Sequence, residues 1–190
     1  MDFFSLAGFI TGIWDVWLCA RENILNWPVG LLNCAFFLIV FLQTGLYGSA
    51  FMQIFYIGLG IWGWYQWLYG GEKRTERKIR ALYGWELVAC LIFGFAGTFL
   101  LTEFFMQTND PAPFMDAFTT ILSLIATYML ALKITENWYL WISADVIFIV
   151  MYFQQGLTVI AVTYILFLLI CLKGIWDWKQ TYSKLVGVQL

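Results

Sequence analysis

The sequence predicts an all-α membrane protein of seven transmembrane helices, in which two parallel three-helix repeats are joined by one extra helix. The first observation is composition: of 190 residues, 62% are hydrophobic and only 12% are charged. This is more apolar surface than one small soluble domain buries. The second is that apolar stretches of about 20 residues, long enough to cross a roughly 30 Å hydrocarbon core, recur along the chain. The third is an internal duplication.

The apolar stretches are separated by turns and polar segments. The turns at 43–45 and 154–156 both end in glycine, which can adopt the positive φ that a tight helix-to-helix turn needs. The first stretch follows no basic residue and precedes no small-residue cleavage site, so we expect a membrane helix and not a secretory signal. We predict spans at about 5–20, 27–43, 46–68, 84–103, 116–133, 138–154 and 157–177.

The duplication has a fixed offset of 111 residues. It lays residues 10–67 over residues 121–178 without a gap, and 12 of the 58 aligned positions are identical. A biased apolar composition does not explain identities that fall at helix ends and turns. Two repeats in a membrane chain are typical of transporters, whose halves move against each other around a ligand. The clearest matches are Asn26-Trp27 with Asn137-Trp138, Gly45-Leu46 with Gly156-Leu157, Gly63 with Gly174, and Trp67 with Trp178.

The basic residues predict the orientation of the chain. With seven spans, all ten fall on one side, which the positive-inside rule assigns to the cytoplasm. The N-terminus is then outside and the C-terminus inside, and the acidic residues Asp2, Glu103, Asp110 and Asp116 lie on the outer side. The basic residues are Arg21, Lys73, Arg74, Arg77, Lys78, Arg80, Lys133, Lys173, Lys179 and Lys184.

The fourth span has no counterpart in the duplication. A three-span unit ends on the side opposite to its start, so one extra crossing is needed before a second unit can run parallel to the first. The predicted layout is therefore three, one and three spans, with an axis along the membrane normal. The chain divides into a first repeat at 5–68, a basic loop, linker helix and external loop at 69–115, a second repeat at 116–178, and a cytoplasmic tail at 179–190.

Several classes of protein are disfavoured. The chain has no histidine, no Gly-rich phosphate loop and no HExxH or GxSxG motif, so we expect no enzyme, no metal and no cofactor. No nucleic-acid partner is expected either. The four cysteines lack CxxC spacing and are interpreted as small buried hydrophobic residues: Cys19, Cys34, Cys90 and Cys171.

The most specific candidate for a ligand site opens the sixth span. Trp138, Trp141 and Asp145 are spaced i, i+3 and i+7, so they share one helical face. Indoles bind flat aromatic rings and cations, at about 1–2 kcal/mol for a desolvated cation. A carboxylate inside a membrane costs about 2.5–3.5 kcal/mol and normally faces a cavity or a partner. Together they predict a pocket for a cationic aromatic compound. The alternatives are interfacial anchoring by the tryptophans and a structural hydrogen bond from Asp145.

Polar residues of the other spans complete the candidate set. Asn33 on span two falls at the level of Asp145 under the offset, and Gln53 on span three aligns with Tyr164 on span seven. These side chains are expected to converge on a central site, with interhelical hydrogen bonds of about 0.6 kcal/mol as the alternative.

Two other acidic residues and a glycine cluster are given structural interpretations. Asp15 is expected to be solvated or paired with Arg21. Asp116 is expected to cap the fifth helix at its N-terminus. The glycines of span three are expected to allow close helix packing: Gly58, Gly60 and Gly63.

Taken as a set, these motifs resemble the PnuC-type bacterial vitamin transporters, and the resemblance covers nearly the whole chain. The matching residues are the WxxW of Trp138 and Trp141 after Glu136-Asn137, Gly30-x-x-Asn33, the Gln43-x-Gly-Leu-Tyr47 turn followed by Gln53, Gly63-Trp64-Tyr65-x-Trp67, and Asp116 before span five.

The resemblance implies a fold shared in outline with SWEET-type sugar transporters. It implies passive, bidirectional movement of a vitamin precursor across the bacterial inner membrane, with net uptake driven by a cytoplasmic kinase that phosphorylates the vitamin. It also implies a homotrimer. The ligand-holding residues carried over from the family are Trp138, Trp141, Asn33, Gln53 and Tyr164.

Asp145 departs from the family pattern, because the resemblance implies asparagine at this place in the riboside transporters. Nicotinamide riboside carries a fixed pyridinium charge that a carboxylate can bind. Thiamine, carried by related transporters, offers a thiazolium cation and an aminopyrimidine donor. The sequence therefore favours nicotinamide riboside and thiamine about equally and does not choose between them and riboflavin. A seven-helix receptor or a SWEET-like sugar transporter is the alternative, although the duplication argues against a receptor.

Overall fold

The computed structural model describes residues 3–45, 47–108, 112–154, 156 and 158–187. Asp2 and Asp110, which the orientation argument uses, lie outside these residues. A single 3₁₀ turn, Glu72–Arg74, lies in the basic loop. The helices are α1 (Phe3–Ala20), α2 (Asn26–Gln43), α3 (Tyr47–Tyr69), α4 (Gly84–Phe105), α5 (Pro113–Ala131), α6 (Asn137–Gln154) and α7 (Thr158–Val186).

The seven helices follow the seven predicted apolar stretches to within a few residues, except that α7 continues to Val186 and so passes the expected start of the tail at 179. Within the described residues, five helices are long and apolar enough to cross a membrane: α1, α2, α4, α5 and α7. The other two, α3 and α6, are less apolar than the expected seven equal spans. They carry polar residues such as Gln53 and Asp145, which face the interior of the molecule.

Six of the helices form a closed ring. Contacts run from α1 to α2, α3, α5, α6, α7 and back to α1, while α4 packs along α5. Neighbours inside each repeat are joined by short turns and run antiparallel. The helices that meet across the repeats run parallel, because Trp67 near the C-terminal end of α3 contacts Leu130 near the C-terminal end of α5. The ring surrounds an interior space to which both repeats contribute.

The two repeats have the same local structure at equivalent positions. Gly45 and Gly156 both have φ of 74° in the tight turns, as the sequence predicted. At the opposite helix ends, two indole rings meet edge to face, with ring centroids 5.5 Å apart and an interplanar angle of 87° in both repeats: Trp27 with Trp67, and Trp138 with Trp178.

Contacts between the repeats are reciprocal. The Trp67 Nε1 donates to the carbonyl of Leu130 at 3.0 Å, and the Trp178 Nε1 donates to the carbonyl of Cys19 at 3.3 Å. The offset of 111 residues relates Trp67 to Trp178 and Cys19 to Leu130, so each half makes the same contact with the other. This is the rule for an interface with two-fold symmetry. The indoles of Trp67 and Trp178 lie 6.0 Å apart where the halves meet.

An ion pair joins equivalent positions of the two repeats. Glu22 and Lys133, which follow α1 and α5, have φ of 55° and 50°. The Lys133 Nζ lies 2.6 Å from the Glu22 Oε1 and 4.4 Å from the centre of the Trp67 ring. Lys133 is only 6% exposed. A buried charge of this kind needs a close partner, so the pair ties the halves together.

The basic loop before α4 lies at the same end of the molecule. Arg80 exchanges backbone hydrogen bonds with the α5–α6 turn, accepting from the Thr135 N–H and donating to the carbonyl of Lys133, each at 3.0 Å. Its guanidinium contacts the Glu86 carboxylate at 2.6 Å, and these bonds raise the pKa of Arg80. Basic residues far apart in sequence therefore meet at one end of the ring.

Candidate functional site

A cavity of about 440 Å³ lies inside the ring. All six ring helices line it and α4 contributes no side chain. Its position between two repeats is where transporters of duplicated architecture hold their ligands. Beyond the residues discussed below, the lining includes Val16, Leu31, Cys34, Tyr56, Gly60, Ser123 and Thr127.

All six residues that the sequence singled out lie in this lining. Trp138, Trp141 and Asp145 reach it from one face of α6, as their spacing predicted. Three other helices bring the remaining members of the set: Asn33 from α2, Gln53 from α3 and Tyr164 from α7. The structure thus brings the candidates together, and their role in binding remains a prediction.

Aromatic rings of the second repeat form one wall of the cavity. The Tyr164 ring centroid lies 4.8 Å from that of Phe148, and 5.6 Å from that of Phe167 at an angle of 87°. Trp141 adds a half-buried indole to the same wall. Aromatic faces attract cations and stack on flat rings.

Trp138 is packed more tightly than the sequence suggested. It is only 1% exposed, so interfacial anchoring is wrong for this residue. Its ring lies against Gly174 of α7, where an added Cβ would come within 2.7 Å of the indole carbons. Trp138 therefore belongs to the buried core and presents only part of its surface to the cavity.

Three buried polar atoms of the lining have no hydrogen-bond partner within the described part of the chain: the Nε1 of Trp27, the Nε1 of Trp138 and the Oδ2 of Asp145. Each residue is at most 5% exposed. Leaving such groups unpaired costs about 1–3 kcal/mol each, so they are suited to bonds with a ligand. Trp27 was not among the candidates, although its alignment with Trp138 was the available signal.

Asn33 is partly occupied by a structural role. Its side-chain Nδ2 donates to the carbonyl of Gly8 at 2.6 Å and lies 3.2 Å from the Thr11 Oγ1. These bonds hold α2 against α1. The interhelical hydrogen bond considered as an alternative is therefore present, and it fixes the orientation of an amide that also lines the cavity.

Asp15 is the main residue that the sequence interpretation missed. The expectation of pairing with Arg21 is wrong, because the Arg21 guanidinium lies over the Trp17 ring at 4.3 Å, and none of the three ion pairs in the described residues involves Asp15. Its carboxylate instead lines the cavity. A carboxylate within an apolar stretch was the signal, as for Asp145.

The second acidic residue with a structural interpretation also differs from expectation. Asp116 does not occupy the N-cap of α5, because that position is Ala112. It lies in the first turn of the helix, where a negative charge is favourable beside the positive end of the helix dipole.

The charge of the cavity is one-sided. Asp15 and Asp145 both line it, and no Lys or Arg is present in the lining that the structure describes. Unpaired carboxylates in a low-dielectric interior favour a cationic occupant.

Comparison with known proteins identifies the architecture. A family model described as nicotinamide mononucleotide transporter matches residues 2–180. The chain belongs to this nicotinamide mononucleotide transporter family. It is therefore a membrane vitamin transporter of the PnuC type and not an enzyme, and its apolar helices make it a multi-pass protein of the bacterial inner membrane.

Named members of the nicotinamide mononucleotide transporter family align over nearly the whole chain. The nicotinamide riboside transporter PnuC of Escherichia coli K12 is 29% identical, covering 94% of this chain and 85% of its own length. The riboflavin/roseoflavin transporter RibM of Streptomyces davaonensis is 26% identical, covering 92% and 83%. These names remove the receptor interpretation.

A solved structure supports the fold. The crystal structure of the vitamin B3 transporter PnuC superposes with a TM-score of 0.75, at 22% identity, over 95% of this chain and 82% of the other. At that identity the likeness establishes the fold alone.

Proposed function

We propose that the chain carries a small cationic aromatic vitamin, nicotinamide riboside or thiamine, across the bacterial inner membrane by facilitated diffusion. The observation that carries the proposal is the lining of the cavity, which combines aromatic rings with Asp15 and Asp145 and has no Lys or Arg among the described residues. A positively charged ring stacked on an indole and facing a carboxylate satisfies both features.

The proposed binding set is the one that the sequence indicated. Trp141 and Tyr164 stack on the vitamin, and Asp145 offsets its charge. Gln53 and Asn33 of the first repeat close the cavity opposite and bond the polar groups of the vitamin. Trp138 and Trp27 add their unpartnered indole N–H donors.

The proposal includes the layout in the membrane. All seven helices cross the bilayer as three, one and three, in the manner of SWEET-type transporters, with the N-terminus outside and the C-terminus in the cytoplasm. The less apolar α3 and α6 are compatible with this because their polar side chains face the cavity and not lipid. The resemblance adds a homotrimer to the proposal.

Net uptake is proposed to come from a cytoplasmic kinase. A facilitator only equalises the concentration of its ligand on the two sides. Phosphorylation inside the cell removes the transported form and adds negative charge, which a cavity with two carboxylates disfavours. This would make the phosphorylated product a poor ligand for return.

The test is ligand binding followed by transport. Purified protein is titrated with nicotinamide riboside, thiamine and riboflavin by calorimetry and by tryptophan fluorescence, and ligands that bind are tested for counterflow in liposomes. Trp141→Ala is expected to weaken binding at least tenfold, because it removes a stacking face. The matched control is Trp85→Ala, an indole of α4 that is 68% exposed and outside the cavity.

Two outcomes would contradict the proposal. The first is that neither cationic vitamin binds, or that only the neutral riboflavin does. The second is that Trp141→Ala binds as tightly as the parent while Trp85→Ala does not. Accumulation of unmodified vitamin against its gradient in liposomes would contradict facilitated diffusion specifically.

A further inference from the structure

The two repeats differ by an exchange of large and small residues at the cavity wall. In the first repeat, Asp15 of α1 faces Gly30 of α2, and a Cβ added to Gly30 would lie 3.1 Å from the Asp15 Oδ2. The offset of 111 residues turns Asp15 into Ala126 and Gly30 into Trp141. A carboxylate beside a glycine in one half thus corresponds to an indole beside an alanine in the other.

This exchange places opposite chemistries on corresponding walls. Gly30 is the smallest residue possible, and the Asp15 carboxylate packs against its backbone. Ala126 is completely buried on α5, and the half-buried Trp141 extends from the neighbouring α6. Because the helices are related by the repeat, a negative wall in the first half corresponds to an aromatic wall in the second.

Asp15 and Asp145 are separate contacts and not one shared pair. Asp15 lies on α1 and Asp145 on α6, with α7 packed against both of these helices. The Cys171 thiol of α7 is hydrogen bonded to the Asp145 carboxylate. The cavity therefore offers carboxylates at two places, and a ligand with a single positive group can meet only one of them at close range.

The indole donors give independent support for a ligand at this place. The Nε1 atoms of Trp27 and Trp138 are buried and have no acceptor in the described residues. Both indoles belong to the same lining as Asp15. Donors that the fold leaves unpaired are matched by acceptors of a ligand, such as ring nitrogens or hydroxyl groups.

We propose that Asp15 is a specificity-determining residue of the cavity: with Asp145, it selects a ligand that carries a ring cation and, on a second ring, amino hydrogen-bond donors. The inference rests on the proposed function and narrows its substrate class. An azolium joined to an aminopyrimidine has both features, and its ring nitrogens can accept from the indole N–H groups. A pyridinium riboside has the cation, but its second ring offers neutral hydroxyls that an amide binds as well as a carboxylate does.

The test compares two probes on a set of matched variants. Thiamine and nicotinamide riboside are titrated against the full-length parent, Asp15→Asn, Asp145→Asn and, as control, Asp177→Asn. Asp177 pairs with Lys173 and lies outside the cavity. We expect the parent to bind thiamine more tightly, and Asp15→Asn to weaken thiamine at least tenfold, or about 1.4 kcal/mol, while nicotinamide riboside changes less than threefold. The control is expected to match the parent.

Gly30→Ala covers the case in which Asp15→Asn fails to fold. The new Cβ would displace the carboxylate without removing its charge, so it should also weaken thiamine more than the riboside. The inference is overturned if the parent binds the riboside and not thiamine, or if the Asp15 and Gly30 variants that fold weaken both probes equally or neither. If the parent binds no cationic vitamin at all, the proposed function itself fails.

Discussion

Gly174 allows the Trp138 indole to lie directly on the backbone of α7. The same arrangement occurs in the first repeat, where Gly63 lies under Trp27. Each glycine is helical, and a helical glycine costs about 0.5–1 kcal/mol relative to alanine. The close contact accounts for that cost, because any side chain there would displace an indole that both fills the core and lines the cavity.

We predict that Gly174→Ala lowers the stability of the protein by about 1–3 kcal/mol, the usual range for overpacking, in spite of its better helix propensity. Binding should weaken as well, since the displaced Trp138 is part of the cavity lining. The measurement is the melting temperature in detergent, followed by vitamin titration.

The matched control for this prediction is Gly58→Ala in α3. An added Cβ at Gly58 has no atom within 4 Å, so this variant should be neutral or slightly stabilised. If both alanines change the melting temperature by the same amount, the packing role of Gly174 is wrong.

At this scale, the sequence indicated the polar residues of the site better than their surroundings. Asp145 could be found because a carboxylate in an apolar helix is costly and needs a cavity or a partner. Asp15 met the same criterion, but Arg21 lay six residues away and offered a simple partner. The structure sends Arg21 to Trp17 instead. Sequence distance does not tell which way two side chains point from a helix.

The turns that follow α1 and α5 are helix-ending motifs with an unusual residue. In both, the N–H of residue 22 or 133 bonds back three residues, and the next N–H bonds back five, which is the Schellman pattern. Glycine normally occupies the left-handed position, yet here it is Glu22 and Lys133. Side chains at this φ cost about 1–2 kcal/mol, and the ion pair between them offsets that strain.

We predict that Glu22→Gln loosens the contact between α1 and the α5–α6 turn, because it removes a charge-assisted bond worth about 1.5–3 kcal/mol. The double variant Glu22→Lys, Lys133→Glu should recover most of the loss. By the two-fold relation, a lysine at 22 would lie over Trp178 as Lys133 lies over Trp67. The measurement is the melting temperature of the parent, both single charge reversals and the double variant.

Lack of recovery in the double variant would contradict the two-fold relation at this contact. The single reversals serve as the internal control, since each brings two like charges together. An uncoupled effect, in which the double variant equals the sum of the singles, would show that the two side chains do not interact.

At the scale of the whole molecule, the closed ring separates two surfaces. The inner surface carries the carboxylates and stacking rings, while α4 lies outside the ring and exposes large apolar side chains such as Phe95 and Phe99. This helix packs along α5 alone among the ring helices with extensive contacts. Its proposed role is to return the chain to the starting side so that the second repeat runs parallel to the first.

The orientation is predicted to place the basic loop in the cytoplasm. In a background without native cysteines, Lys78→Cys should react with a membrane-impermeant maleimide only in inside-out vesicles, and Gln107→Cys only in intact spheroplasts. Both positions are exposed. Labelling of Lys78→Cys from outside would reverse the topology, and labelling of both from one side would mean that α4 does not cross the membrane.

The architecture was accessible from sequence because its causes are local. The apolar stretches fixed the helices, and the identical turns at Gly45 and Gly156 exposed the repeat. The exchange between Asp15 with Gly30 and Ala126 with Trp141 was not accessible in the same way, because an alignment of repeats looks for identity and this feature is a difference. Nor could the sequence tell that Glu22 meets Lys133, since contacts across the two halves depend on how complete helices pack.

The ion pair at Glu22 and Lys133 also decides which halves associate. Two copies of the first half, arranged around the same axis, would bring glutamate against glutamate, and two copies of the second would bring lysine against lysine. Like charges held that close in a buried place repel strongly. The charges therefore discourage self-pairing by either half and favour the unlike combination, so the nascent chain carries its own instruction against mismatched dimers.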